Sequence, residues 1–194
     1  VFIGHAYGSS SSSDKSGYID PNVLEFIQVN KNKLKTISFT GDVFVVPSLA
    51  KWKRLSLELD RSQKIYIAPG NHDVERLDSR DVFRLSDLGS KQYPFVDYLD
   101  DVPVIYDDSV ISKWLLSEEI PVLAESIQAP KIVIARHNVP SADLLHLANS
   151  YSAMSQHLPK IEDLVNKFRK DTDYIWIIGD SGAFPRLARL TCKK

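Results

Sequence analysis

Cysteine is almost missing from this chain of 194 residues. Cys192 alone can form no internal disulfide, and no cluster of cysteine and histidine has zinc-finger spacing, so a disulfide scaffold is excluded and a structural zinc module disfavoured. Also missing is any apolar run near the ~18 residues of a membrane-spanning helix, or any charged start followed by an apolar stretch of the kind that directs secretion. Charge of one sign is not in excess: 25 acidic residues stand against 24 basic ones, which leaves no global field to draw in nucleic acid or an anionic membrane. Lys193 and Lys194 are too few for a nucleic-acid tail. These absences predict a cytoplasmic protein with no membrane span and no nucleic-acid partner, and they leave the oligomeric state open. The chain opens on Val1-Phe2-Ile3-Gly4, which reads as the end of a strand, with no initiating methionine, so further residues are expected before it.

What is present is enough apolar material, 43% of residues, to bury one core, and the length predicts a single domain over 1–194. Strand-type and helix-type patterns alternate. Asp20 is a good N-cap and Pro21 suits the first helical position, and the apolar stripe of Val23, Leu24, Phe26 and Ile27 predicts a helix to about Lys35. Thr36 to Thr40 reads as a strand, Pro47 to Arg61 as an amphipathic helix, and Lys64 to Ala68 as a second strand. The stretch from Val74 to Glu119 is less regular and reads as a variable insertion with a short strand at Val102 to Tyr106. The rhythm resumes with a helix at Ser117 to Ser126, a strand at Lys131 to Ala135, a helix at Leu158 to Lys170 and a strand at Tyr174 to Ile178. This βαβ alternation predicts an α/β fold. Ser9 to Ser13 is the only low-complexity piece, read as a mobile loop with a lid as its functional alternative. Trp52, Trp114 and Trp176 fall at apolar positions and are expected to pack, and His146 and His157 read as ordinary surface or core residues.

Four short strings carry the chemistry: Gly41-Asp42, Gly70-Asn71-His72-Asp73, Arg136-His137-Asn138 and Gly179-Asp180-Ser181. Each sits at the end of an apolar strand-type run, and residues that follow the carboxyl ends of parallel strands share one crevice. Carboxylate, amide oxygen and imidazole are the donors that divalent metals such as Mn²⁺, Fe or Zn²⁺ take, and such ions serve phosphoryl displacement.

In the order Thr40-Gly41-Asp42, Pro69-Gly70-Asn71-His72-Asp73, Arg136-His137-Asn138-Val139-Pro140, the strings resemble the calcineurin-like metallophosphoesterase family. Gly-Asn-His-Asp is the most specific of them. The resemblance runs from His5 to about Gly182, the middle segment excepted. It implies a four-layer αββα sandwich with a metal site at the strand ends. It further implies that Asp42 bridges two metals, that Asn71 and His137 are metal ligands, and that His72 hydrogen-bonds phosphate or protonates the leaving oxygen while Asp73 orients it. The implied reaction is metal-dependent phosphoester hydrolysis, as a phosphatase or phosphodiesterase, with metal-bound water as nucleophile and a phosphorylated small molecule as substrate.

Both ends of the pattern depart from the family. Its opening Asp-x-His is Ile3-Gly4-His5 here, which keeps the histidine as a candidate ligand and loses the aspartate. Its closing Gly-His-x-His is Gly179-Asp180-Ser181-Gly182, where Asp180 can still coordinate through oxygen and Gly182 has no side chain. One metal keeps Asp42, Asn71, His137 and Asp180, and the other only His5 and Asp42, so a one-metal or unequal two-metal site is expected. Tyr7, Arg136, Phe184 and Arg186 are candidates to line the substrate cleft, with Arg136 or Arg186 as a bidentate phosphate contact. Two other readings stay open. The lost donors favour a catalytically degenerate binder of a phosphorylated ligand or partner. Ile178-Gly179-Asp180-Ser181 is similar to the Gly-Asp-Ser string of SGNH serine esterases, in which Ser181 would be the nucleophile and His137 or His146 its base, although the order along the chain is inverted.

Overall fold

Asp20 opens the first helix as its residue type predicts: its carboxylate accepts the Asn22 N–H at 2.9 Å, Pro21 takes the first position, and α1 runs over Pro21–Val29. It stops short of Lys35 because the chain turns polar at Asn30-Lys31-Asn32-Lys33 and has no further apolar stripe to bury. Ser48 caps α2 (Leu49–Glu58) by accepting the Lys51 N–H at 3.2 Å, and Trp52 and Leu55 on that helix are fully buried. The two helices are the crossovers of a three-stranded parallel sheet ordered β1 (Phe2–Ile3), β2 (Thr36–Phe39), β3 (Lys64–Ile67).

The computed structural model describes residues 1–8, 17–59, 62–147 and 157–180, with His146 and Leu147 in backbone only. After β3 come a single turn, α3 (Asn71–Val74), and α4 (Leu77–Arg84). Next, β4 (Phe95–Leu99) and β5 (Val102–Tyr106) form an antiparallel pair. Beyond α5 (Glu119–Ser126), β6 (Lys131–Asn138) pairs parallel with β5, and past α6 (Ala142–Leu147) and α7 (Ile161–Val165), β7 (Asp173–Asp180) pairs parallel with β6. The second sheet is thus β4-β5-β6-β7. The segment 74–119, expected as an insertion, supplies two of these four strands. The sequence reading did not anticipate β4. Asp97 interrupts its apolar run, and the reason lies in the other sheet, where Tyr66 Oη on β3 donates to Asp97 Oδ2.

Strands β6 and β7 run further than their apolar residues suggest, since the register continues from Lys131↔Asp173 to Asn138↔Asp180. Arg136, His137 and Asp180 therefore lie inside paired strands rather than after them. Helix α7 is shorter than the expected span of Leu158 to Lys170.

Alternation along the strands sorts the core into three clusters. Ile37, Phe39 and Ile67 pack with Ile27, Trp52, Leu55 and Phe83 of α1, α2 and α4. Ile105, Ile132 and Ile134 pack with Ile120, Ala124 and Leu164 of α5 and α7. Tyr66, Val104, Tyr106, Val133 and Ala135 form a third cluster from both sheets, joined by Ser38 Oγ and Tyr106 Oη at 2.8 Å. Trp52 packs as expected, and Trp176 meets Phe168 edge-on at 5.8 Å. Among the described residues no helix is long and apolar enough to cross a membrane.

Candidate metal centre

His5, Asp42, His137 and Asp180 come together where the carboxyl ends of β1, β2, β6 and β7 meet. His5 Nε2 lies 3.3 Å from Asp42 Oδ2 and 3.5 Å from Asp180 Oδ2. His137 Nε2 lies 3.6 Å from Asp42 Oδ1 and 4.0 Å from Asp180 Oδ2. One ligand atom from each residue falls within 4.8 Å of all the others. Donors bound 2.0–2.2 Å from a common zinc-like ion lie about 3–4 Å apart, so the four can hold a metal ion with little adjustment.

Polarity gives a second test of fit. His137 is fully buried with Nδ1 3.2 Å from the Thr40 carbonyl, a contact that needs Nδ1 as donor and leaves Nε2 as a lone pair. That lone pair faces Asn71 Oδ1 at 3.0 Å and two carboxylates, so the site gathers acceptors that could hold a cation. The buried His5 Nε2 has no directed hydrogen bond, and its 3.5 Å approach to Asp180 is a charge contact. The two imidazoles are tuned apart. Contact with Asp180 raises the pKa of His5, against its burial and with help from Asp42. Burial lowers that of His137, against the pull of Asp42 and Asp180, and keeps it neutral as a ligand must be.

Backbone strain marks the same place. His5 has φ +49° and Asp42 φ +54°, left-handed values uncommon outside glycine. Two glycines let the sheets close on each other. Gly41 has φ +95°, and an added Cβ there would run into the His137 ring. An added Cβ on Gly179 would run into the Thr40 carbonyl.

The remaining predicted residues divide. Asn71 sits beside the cluster through its contact with His137. The backbone N–H of His72 donates to Asp42 Oδ1 at 3.1 Å, and its ring Nδ1 meets the Val45 carbonyl at 2.9 Å. Val45, not Asp73, orients that imidazole. Successive helical residues point about 100° apart, and the fully buried Asp73 turns inward to accept N–H groups of Gly70 at 3.0 Å and Val43 at 3.1 Å. Burial and the nearby Asp42 push its carboxyl up to about 7, against those hydrogen bonds. Tyr7 lines the centre, its ring 5.2 Å from His5 and 5.4 Å from His72. Burial and the surrounding carboxylates push its hydroxyl up to about 12, so it stays a donor at neutral pH.

Arg136 requires a correction, because it lies inside β6 and cannot serve as a phosphate contact. It is fully buried, 3.1 Å from Asp107 Oδ2, and Nη2 donates to the carbonyls of Trp114 and Leu115. Arg186, Phe184, Ser181 and Gly182 lie outside the described residues, as do Ser9 to Ser13. Of the two bases considered for Ser181, His137 points Nδ1 at the Thr40 carbonyl and Nε2 into the donor cluster, and His146 is described in backbone only. Ile3, where the resemblance expects a carboxylate, packs against the first cluster instead. The sequence reading missed Trp114, whose half-buried ring lies 6.0 Å from His137, and the Asp107–Arg136 pair; no periodicity or motif marks either. A scan against protein-family models and a search of curated proteins both return no match for this chain.

Proposed function

We propose that the chain is a metal-dependent phosphoester hydrolase of the calcineurin-like type that its motifs resemble, with a four-layer αββα architecture and one principal metal site. The convergence of His5, Asp42, His137 and Asp180 at the strand ends, with Asn71 and His72 beside them, carries the reading. The three core clusters support the layering, since each sheet packs helices on one face and the other sheet on the opposite face.

When bound, a divalent cation such as Mn²⁺, Fe or Zn²⁺ polarises a phosphoryl oxygen and lowers the pKa of a water. The chain supplies the rest. His5, Asp42, His137 and Asp180 would hold the ion, with Asn71 Oδ1 as a fifth donor and third oxygen. Tyr7 Oη donates to a phosphoryl oxygen. His72, its Nδ1–H given to the Val45 carbonyl, would pass a proton from Nε2 to the leaving ester oxygen as a water oxygen bonds to phosphorus and the P–O ester bond breaks.

Calorimetric titration of the full chain with Mn²⁺, then Zn²⁺, and turnover of 4-nitrophenyl phosphate with and without chelator test this. One tight site and chelator-sensitive turnover are expected, and no bound metal with no turnover sinks the reading. The packing of Ile3 into the core favours a second reading, a metal-dependent binder of phosphorylated ligands, which tight metal binding without turnover would select.

A further inference from the structure

Trp114 is held beside the metal centre in a conformation that tryptophan rarely adopts. Its φ is +72° and that of Lys113 is +52°, consecutive left-handed residues with large side chains. Such strain persists only where the surroundings over-determine it, and it gathers at functional sites. Here the surroundings do so. The Trp114 N–H donates to the Ser109 carbonyl at 2.8 Å, and Arg136 Nη2 grips its carbonyl at 3.0 Å and that of Leu115 at 3.1 Å. Asp107 faces the same guanidinium at 3.1 Å, and Asp108 Oδ1 accepts the N–H groups of Val110 and Ile111.

What this clamp presents is an indole next to the donors. Its centroid lies 6.0 Å from the His137 imidazole, His137 lies 6.0 Å from His5, and His5 lies 5.2 Å from Tyr7. The donors are therefore flanked by an aromatic ring at each end. His137 is fully buried, whereas Trp114 keeps part of its surface open.

We propose that Trp114 is a stacking platform that selects phosphate esters carrying a planar aromatic group, and that Arg136 is the residue positioning it. The proposal rests on the phosphoester reading of the metal centre. Base–aromatic stacking lost on substitution weakens binding about 5- to 150-fold.

The Zn²⁺-loaded full chain is titrated with adenosine 5′-monophosphate, phenyl phosphate, ribose 5-phosphate and inorganic phosphate, by calorimetry and by tryptophan fluorescence. The planar esters are expected to bind tighter than ribose 5-phosphate and to quench emission. Trp114→Leu should lose both the quench and the 5- to 150-fold advantage while its affinity for ribose 5-phosphate is unchanged. Preference for the adenosine ester over the phenyl ester assigns a nucleobase, and equal preference assigns any planar group. Arg136→Lys should lose the same discrimination with Zn²⁺ affinity unchanged; should it fail to fold, the Trp114 comparison still decides. If all four probes bind and Trp114→Leu leaves their ratios intact, the platform is overturned and the phosphoester reading stands. If none binds, inorganic phosphate included, that reading falls and the platform with it.

Discussion

His5 and Asp42 reach the candidate metal centre from turns, whereas His137 and Asp180 reach it from inside paired strands. The turns follow strands of two and four residues and take left-handed backbone at both ligands. The strands run in register through Asn138↔Asp180 and need no special conformation. Neighbours that ligate nothing must therefore hold the first half in place. Gly41 O accepts the His5 N–H, His72 N–H donates to Asp42, and Asp73 gathers the N–H groups of Val43 and Gly70. The hydrogen-bond ladder holds the second half. Substitutions of hydrogen-bonding neighbours should therefore disturb the turn side, and on the strand side the candidate ligands themselves should matter, together with Gly179, where the strand meets the Thr40 carbonyl.

Gly41→Ala strains that division most, because a Cβ there meets both a left-handed backbone and the His137 ring. Strain of about 1–3 kcal/mol adds to overpacking of similar size, so a loss of about 3 kcal/mol or more is expected in the unfolding free energy from urea titration, together with loss of Mn²⁺ binding. A variant of unchanged stability would show that the sheets can part at this point. Asp73→Ala comes next. It leaves buried N–H groups of Val43 and Gly70 unmatched, at about 1–3 kcal/mol each, with no ligand removed. A drop of about 3 kcal/mol with at least tenfold weaker Mn²⁺ binding is expected. Retained metal affinity would mean that the Asp42 turn holds without its support.

Much of this was legible in the sequence, for physical reasons that differ by residue. Asp20-Pro21 and Ser48 announce their helices because capping is local chemistry, and the parallel strands announce themselves by apolar runs with polar strings at their ends. His5, Asp42, His137 and Asp180 are nominated by residue type and position, but their merging into one group is a product of two sheets meeting, which spacing along the chain does not encode. The orientation of His72 by Val45 is illegible because a backbone carbonyl has no letter. Arg136 misleads for a related reason. An arginine at a strand end reads as solvent-facing, and its burial depends on Asp107 arriving from a distant segment.

On the strand side, Asp180→Ala tests whether ligand loss is separable from stability. It removes one of two carboxylates that face His5 and leaves the β6–β7 ladder intact. Loss of residues that only support a ligand typically costs 10- to 100-fold in metal affinity, so removal of a donor should exceed about 100-fold. The metal-free unfolding free energy from urea titration should move by less than about 1 kcal/mol, as for substitutions away from packing. A large fall in metal-free stability would show Asp180 to be structural and would erase the contrast between the halves.

The smallest effect is expected at the seam between the sheets. Burial alone would raise the Asp97 carboxyl, but the Tyr66 hydroxyl, the Tyr98 N–H and the Lys91 and Lys64 charges outweigh it and hold the group below its ordinary value of 3.8. A carboxyl depressed on folding adds stability above the unfolded value, and that contribution is lost as pH falls through the folded one. Asp97→Asn should therefore lower the unfolding free energy from urea titration by about 1 kcal/mol at neutral pH, with the difference from wild type shrinking below about pH 4. Metal affinity should not change, since Asp97 lies on β4 and bonds Tyr66 on β3, outside the group of donors. A difference constant with pH would show that the variant acts through packing, and weakened Mn²⁺ binding would show that the seam sets how closely the turn half and the strand half approach.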